Sequence, residues 1–142
     1  MSYVADRSAL DALAFECHEI SASKGWQEEK RTFGDLISLM HSELSEALEE
    51  FRKGRKYDEI YFTCTECGRE WDEKDAANEW NWGKTPCCEG SFKPEGIPIE
   101  LMDTVIRIFQ FFGTEGINAS HAYTTKTIYN KTRSHRHGGK VI

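Results

Sequence analysis

Apolar residues recur at spacings of three and four along most of this chain, a period that is typical of amphipathic helices. Thr32, followed three residues later by Asp35, forms a favourable N-cap pair, and Asn118 is a second candidate cap. The stretch from Gly113 to Gly116 is expected to be a turn. The pattern predicts four helices: Ser8 to about Ser23, Thr32 to about Arg52, Pro98 to about Phe112, and Ala119 to about Thr132.

The second predicted helix combines an apolar stripe with acidic residues at its border. Glu43 and Glu46 lie three positions apart, and Glu100 and Asp103 repeat this spacing on the third helix. Residues at this spacing share a helix face, about 5–6 Å apart, so each pair can act as a two-carboxylate claw. Two such claws suit a hard divalent cation such as Mg²⁺. The stripe consists of Leu36, Leu39, Met40, Leu44, Ala47, Leu48 and Phe51.

The segment from Tyr61 to Phe92 has a different character and predicts a small β insertion between the second and third helices. Three short runs within or beside it are strand-like: Ile60 to Thr63, Arg69 to Trp71, and Ser91 to Lys93. The stretch between Asp72 and Lys84 is polar, with no predicted element. A segment of this length cannot build a hydrophobic core alone, and we therefore expect a bound metal to stabilise it.

Four of the five cysteines fall within this segment, which favours a metal site over disulfides in a reducing compartment. Cys64 and Cys67 form a Cys-x-x-Cys-Gly knuckle that is typical of structural zinc. The second half is less regular because Cys87 and Cys88 are adjacent. Either both of them ligate Zn²⁺, or one does so together with another donor such as Asp72 or Glu89.

Composition limits the classes of protein to be considered. The chain has 142 residues, of which 39% are hydrophobic and 30% charged, and these values are typical of one soluble globular domain with a small appendage. It has no apolar run long enough for a membrane span. The N-terminus does not resemble a signal peptide, so a cytoplasmic location is expected. The net charge of −6 argues against a general nucleic-acid binder.

The fourth helix offers polar partners for an anionic substrate. Lys126, Asn130 and Arg133 lie along one stripe, where they could neutralise and orient phosphate groups held by the metal. Trp26, which follows Gly25, is either a packing anchor or a surface on which a base stacks. Acidic claws with basic partners point to hydrolysis of a phosphoanhydride by a metal-activated water.

Glu43-x-x-Glu46 followed by Glu100-x-x-Asp103 resembles the metal motif of the MazG-like, all-α nucleoside triphosphate pyrophosphohydrolases. The resemblance extends to Lys24 to Trp26, Leu39 to Leu48, Gly96 to Asp103, and Tyr129 to Arg133 leading to His137 to Lys140. It implies an all-α four-helix bundle, usually dimeric or tetrameric, and Mg²⁺-dependent cleavage of a nucleoside triphosphate to monophosphate and pyrophosphate. The residues it implies are Glu43, Glu46, Glu100 and Asp103 as catalytic Mg²⁺ ligands, and Lys126, Asn130 and Arg133 around the phosphates.

The chain departs from the family pattern in two places. Ser42 stands where the family often has a further Glu, and the choice of Glu49 or Glu50 as an extra ligand or general base stays open. The gap between the claws is also long, which predicts a zinc-ribbon-like insertion over residues 61–92 in an all-α domain of residues 1–60 and 93–142. The expected role is nucleotide-pool housekeeping. The alternative is a non-catalytic bundle whose zinc knuckle binds a protein or nucleic acid.

Overall fold

The computed structural model describes residues 7–79 and 83–134, and it is a mixed α and β structure. The expectation of an all-α, four-helix bundle is therefore wrong. Five helices and a three-stranded antiparallel sheet are present in the described residues. Their order is α1 (Arg7–Ser23), α2 (Phe33–Arg52), β1 (Tyr61–Cys64), β2 (Glu70–Asp72), α3 (Glu73–Glu79), β3 (Phe92–Glu95), α4 (Ile97–Glu115) and α5 (Ala119–Thr132).

Side-chain caps define the start of two helices, as the sequence predicts. Thr32 and Asp35 form a reciprocal capping box at the start of α2, with the Asp35 amide donating to the Thr32 hydroxyl at 3.2 Å. At α5 the Asn118 side chain accepts from the His121 amide at 2.7 Å. These bonds satisfy amide groups that have no partner within the helix.

Helix α4 is longer than expected, and the predicted turn from Gly113 to Gly116 is wrong. The helix continues to Glu115, and Gly116 then adopts a positive φ of 64°. Gly113 lies inside the helix because its missing side chain permits a close approach to α1. A Cβ at Gly113 would lie 2.3 Å from the Ala14 carbonyl oxygen. The glycine therefore serves helix packing, whereas its sequence context suggests a break.

Helix α3 is the element that the periodicity did not predict. The Asp72 carboxylate accepts a 2.6 Å hydrogen bond from the Asp75 amide, which is the geometry of an N-cap. Ala76 anchors this short helix because its side chain is fully buried. The pair Asp72 and Asp75 is the signal that could have predicted the helix, and the two tryptophans that follow, Trp80 and Trp82, lie outside the described residues.

The sheet has the strand order β2-β1-β3, and its register separates two faces. Strand β1 pairs with β3 so that Tyr61 faces Glu95 and Thr63 faces Lys93. Alternate residues point to opposite faces of a strand, so these four side chains share one polar face. The other face is aromatic, with edge-to-face contacts among Phe62, Trp71 and Phe92.

The described chain forms two compact units. One contains α1, α5 and the end of α4, within residues 7–30 and 107–134. The other contains α2, the sheet, α3 and the start of α4, within residues 31–106. The predicted boundaries of the insertion at residues 61 and 92 stay a prediction.

The unit of residues 7–30 and 107–134 is held together by polar contacts between its helices. The Ser120 hydroxyl donates to Asp11 at 2.6 Å, and the Gln110 side-chain amide donates to the Ser21 hydroxyl at 2.6 Å. Ser21 is among the most buried side chains described, so its hydrogen bond satisfies a polar group that has left water.

Burial along α2 is the reverse of the usual amphipathic pattern. Its buried residues are Glu43, Ala47 and Glu50, whereas Leu44 and Leu48 of the predicted stripe are 45% and 46% exposed. Helix α4 repeats this pattern, with Glu100 and Thr104 buried. The carboxylates therefore point inward, and a chain that buries them must compensate their desolvation.

Candidate metal sites

The four clustered cysteines come together at the end of the sheet. Cys64 is the last residue of β1, and Cys67 follows in the adjoining turn. The Sγ atoms of Cys64 and Cys88 are 3.2 Å apart, and those of Cys67 and Cys87 are 3.5 Å apart. Since a disulfide would bring sulfur atoms to about 2.05 Å, these are free thiols rather than bridges.

This group of sulfur atoms has the dimensions of a tetrahedral metal site. All four Sγ atoms lie within 4.8 Å of one another. Around one Zn²⁺ with bonds of about 2.3 Å, tetrahedral sulfur atoms lie about 3.8 Å apart. The adjacent pair Cys87 and Cys88 fits this separation, with sulfur atoms 3.8 Å apart. The cluster of four cysteines could therefore bind a metal.

Local hydrogen bonds favour a thiolate at Cys64. The Thr85 hydroxyl, 3.1 Å from the Cys64 sulfur, and the backbone amides of Cys67 and Glu66 lower the pKa of Cys64 to about 6. The Arg69 amide acts to lower the pKa of Cys67, but interactions with the Cys87, Cys64 and Cys88 thiols and partial desolvation outweigh it, and the pKa is raised to about 11. A thiolate is the form that ligates a metal, and a bound cation would favour that form in all four cysteines.

Glycine makes the close approach of the two cysteine turns possible. A Cβ at Gly90 would lie 2.5 Å from the Cys64 sulfur and 3.0 Å from the Glu66 amide nitrogen. Any other residue would therefore push the second turn away from the first. The two other donors that the sequence offered for this site have different partners. Asp72 caps α3, and Glu89 accepts a hydrogen bond from Lys84 at 2.8 Å.

A second group of potential ligands lies between α2 and α4. Carboxylate oxygens of Glu43, Glu46 and Glu100 all lie within 4.8 Å of one another. Glu43 and Glu100 are buried, and Glu46 is exposed. Ligand oxygens on one octahedral Mg²⁺ lie about 3–4 Å apart, so this group has suitable dimensions for such a cation. We refer to Glu43, Glu46 and Glu100 as the carboxylate group.

The carboxylate group is electrostatically crowded. Burial raises the pKa of Glu100 to about 7. The negative charges of Glu46, Glu95 and Asp103 add to this rise, whereas the ammonium group of Lys93 opposes it. Asp103, the fourth predicted ligand, is thus close enough to act on Glu100 but does not belong to the group of mutually close oxygens.

A hydrogen-bonded joint connects α2 to the sheet. The Tyr61 hydroxyl donates to Glu50 at 2.8 Å, and the Lys53 ammonium donates to the same carboxylate at 2.7 Å. Arg55 lies over the Tyr61 ring, 3.8 Å from its centroid, and pairs with Glu59 and Glu70 at 3.0 and 2.8 Å. The joint therefore connects the helix of Glu43 and Glu46 with the strand of Cys64.

Both carboxylate oxygens of Glu50 accept hydrogen bonds within this joint, one from Lys53 and one from Tyr61. Desolvation acts to raise the pKa of Glu50, but the hydrogen bonds from Lys53 and Tyr61 outweigh it, and the pKa is lowered. Glu50 is thus held ionised by structural partners. Glu49, the other residue considered as an extra ligand, pairs with Arg52 at the surface.

The predicted substrate-binding residues lie in the other compact unit. Lys126 and Arg133 both approach the Tyr129 ring, with cation-to-centroid distances of 5.2 and 5.9 Å. Asn130 and Trp26 are exposed. Lys126 on α5 and Arg133 at its C-cap therefore place two cations beside Tyr129 on that unit, and their role with substrate stays a prediction.

Comparison with known proteins identifies no relative of this chain. No family model, curated protein or solved structure matches this chain. The resemblance to the MazG-like pyrophosphohydrolases consequently stays a prediction based on the motifs. Among the described residues, no helix is both long and apolar enough to cross a membrane.

Several residues near the two groups carry no motif and were not predicted as site residues. Tyr61 donates to Glu50 in the joint, and Lys93 and Glu95 lie on the polar face of the sheet. Their only sequence signal was the alternation of Tyr61 with Thr63 and of Lys93 with Glu95. The register of two strands about 30 residues apart decides which of these side chains meet.

Proposed function

We propose that the chain is a Mg²⁺-dependent pyrophosphohydrolase, which cleaves nucleoside triphosphates to nucleoside monophosphate and pyrophosphate. The observation that carries the proposal is the carboxylate group, in which two helices bring three acidic oxygens within 4.8 Å. The motif resemblance supports the choice of reaction. Nucleotide-pool housekeeping is the role that fits a chain acting on free nucleotides.

Burial distinguishes the carboxylate group from an ordinary acidic surface. Exposed glutamates on a helix are common and have little cost, but Glu43 and Glu100 retain only 7% and 4% of their exposure. Like charges at this separation repel one another more strongly in a partly dry site than in water. A divalent cation would neutralise the group, so cation binding gives a physical reason for burying it.

The protein groups have separate tasks in this proposal. Glu43, Glu46 and Glu100 would hold Mg²⁺, with Asp103 adding negative charge beside them. When bound, Mg²⁺ would neutralise phosphate charge, orient the phosphate chain and activate water. Burial of Glu43 and Glu100 limits screening by water at this point. Glu50 holds the sheet against α2 through Tyr61, and we therefore assign it a structural role.

Metal at the cysteines has a structural role in the same proposal. We infer that the four thiolates hold Zn²⁺, because an all-sulfur tetrahedral group with closed coordination is typical of structural zinc. Lys126, Asn130, Arg133 and Trp26 enter the proposal only through the resemblance, which implies contacts with phosphates and base.

Substitution within the carboxylate group tests the proposed function. Glu43→Ala and Asp103→Ala should each lower kcat/KM for a triphosphate at least about a hundredfold, because each removes charge that holds or supports the cation. Circular dichroism should show unchanged helicity. Glu16→Ala, which removes an exposed glutamate from α1, is the matched control and should retain activity. Full activity of Glu43→Ala would contradict the metal assignment, and full activity of Asp103→Ala would contradict the supporting role of Asp103.

A further inference from the structure

The polar face of the sheet, which contacts α2 through the hydrogen bond from Tyr61 to Glu50, also carries Lys93. Lys93 lies on β3, and its ammonium group donates to Glu95 at 2.8 Å. Its side chain is 57% exposed, whereas that of Glu95 is only 17% exposed. Lys93 is therefore held at one end by a half-buried partner and remains accessible to a molecule from solution.

The path of the chain explains why this lysine lies near the carboxylates. Strand β3 runs through Gly96 directly into α4, and Glu100 lies in the first turn of that helix. A Cβ at Gly96 would lie 2.3 Å from the Glu59 carbonyl oxygen, so the strand and helix meet at a tightly packed point. Lys93 and Glu100 are consequently held on consecutive elements across a short, constrained connection.

Electrostatic interactions agree with this placement. The hydrogen bond with Glu95 is the main cause of the raised pKa of Lys93, and the charges of Glu100 and Glu46 raise it further. Lys93 thus interacts with two members of the carboxylate group. It stays protonated at neutral pH and can supply a positive charge next to the carboxylate group.

We propose that Lys93 binds a phosphate group of the triphosphate while the carboxylate group holds the divalent cation. The inference rests on the proposed function and assigns a substrate-binding role to a residue of the β segment. A lysine has a flexible stem and three donors, so its ammonium can turn from Glu95 to a phosphate oxygen. Glu95 would keep a partner in this movement, since Thr63 also donates to it at 3.3 Å.

A simpler role for Lys93 predicts a different result for triphosphate binding. If the lysine only offsets the negative charge of the carboxylates, its removal should tighten cation binding and leave the KM for the triphosphate unchanged. If it binds phosphate, its removal should weaken triphosphate binding whether or not cation binding tightens. Metal affinity and substrate affinity, measured separately, therefore distinguish the two roles.

The test uses Lys93→Met, which keeps much of the apolar stem, and Lys93→Arg, which restores the charge. We expect Lys93→Met to raise the KM for a triphosphate about tenfold or more, since it removes a charge-assisted hydrogen bond. Its kcat should change less, and its affinity for Mn²⁺ should be equal or tighter. Lys93→Arg should recover most of the KM. Lys84→Met is the control, because Lys84 is an exposed lysine that pairs with Glu89 on the same segment.

Binding of inorganic tripolyphosphate in the presence of Mg²⁺ separates failure of this inference from failure of the proposed function. A wild-type chain without triphosphate turnover would contradict the proposed function, but weaker tripolyphosphate binding by Lys93→Met would still support the role of the lysine. An unchanged KM and unchanged tripolyphosphate binding in Lys93→Met would overturn it. Zinc content and circular dichroism establish that each variant is folded.

Discussion

At the scale of single residues, buried carboxylates are compensated in different ways. Glu50 is buried against a hydroxyl and two cationic side chains, so its charge is neutralised within the protein. Glu100 is buried next to other carboxylates, which raise its pKa, and the ammonium group of Lys93 opposes this rise. The charge of Glu50 needs no further partner, whereas the repulsion around Glu100 would be reduced by protonation or by a bound cation.

Removal of the Tyr61 hydroxyl should destabilise the protein. Tyr61→Phe takes a hydrogen bond from a buried, ionised carboxylate, and we expect a loss of about 1–3 kcal/mol in the free energy of unfolding at pH 7. Urea unfolding of the zinc-loaded chain measures it. Tyr57→Phe is the control, since the Tyr57 side chain is 75% exposed and its stacking on Phe51 would be kept.

The pH dependence of this loss has a defined sign. The pKa of Glu50 is lowered below its ordinary value of 4.5, so its stabilising effect is present above that value and is lost as the pH falls through the folded-state pKa. The stability difference between wild type and Tyr61→Phe should therefore shrink on acidification below pH 4.5. A difference that is absent at pH 7, or that grows in acid, would contradict this account of the joint.

Residue spacing predicted local groups well and distant contacts poorly. The helical spacing of Glu43 and Glu46 placed both on one face, and Glu100 joined them as expected. Asp103 is less central because the three-residue spacing sets the face but not the direction of each side chain. Lys93 and Tyr61 could not be assigned, since their neighbours depend on strand register and on the packing of α2 against the sheet.

At the scale of elements, sequence signals were reliable where a side chain caps the start of its own helix. The cap at Thr32 and the start of α5 at Ala119 agree with the sequence. Gly113 was misread because glycine favours both a turn and close helix packing, and the deciding contact is with the distant Ala14. The short helix α3 was missed because seven residues are too few to show a helical period.

The sheet should depend on metal at the cysteines. Its three strands contain 4, 3 and 4 residues and are too short to be stable without another source of free energy, which bound zinc would supply at about 10 kcal/mol or more. Elemental analysis of the purified chain should give about one zinc per chain. Cys64→Ser and Cys87→Ser should lose it, and Cys17→Ser, which alters the cysteine outside the cluster, should keep it.

Thiol titration can contradict the prediction of a metal site at the cysteines. A folded protein that contains neither zinc nor iron, and whose four clustered thiols all react freely, would contradict a metal site at the cysteines. Retention of zinc by both Cys64→Ser and Cys87→Ser would place the metal elsewhere.

At the scale of the whole molecule, the prediction of an all-α bundle gave too much weight to helical periodicity. Four of the five helices in the described part of the chain were predicted, but the sheet and α3 together make the unit of residues 31–106 a mixed structure. The inward direction of Glu43 and Glu50 was also unexpected, because an amphipathic pattern normally buries the leucines. The homodimer or homotetramer implied by the resemblance stays a prediction.

The most direct test of the central claim is identification of the products formed from triphosphates. Pure zinc-loaded chain is incubated with Mg²⁺ and a panel of canonical, deoxy and modified nucleoside triphosphates, and nucleotides and phosphates are separated by anion-exchange chromatography. We predict nucleoside monophosphate and pyrophosphate in equal amounts, formed only with the divalent cation. Release of nucleoside diphosphate and inorganic phosphate, or no product from any triphosphate by a folded protein, would contradict the account.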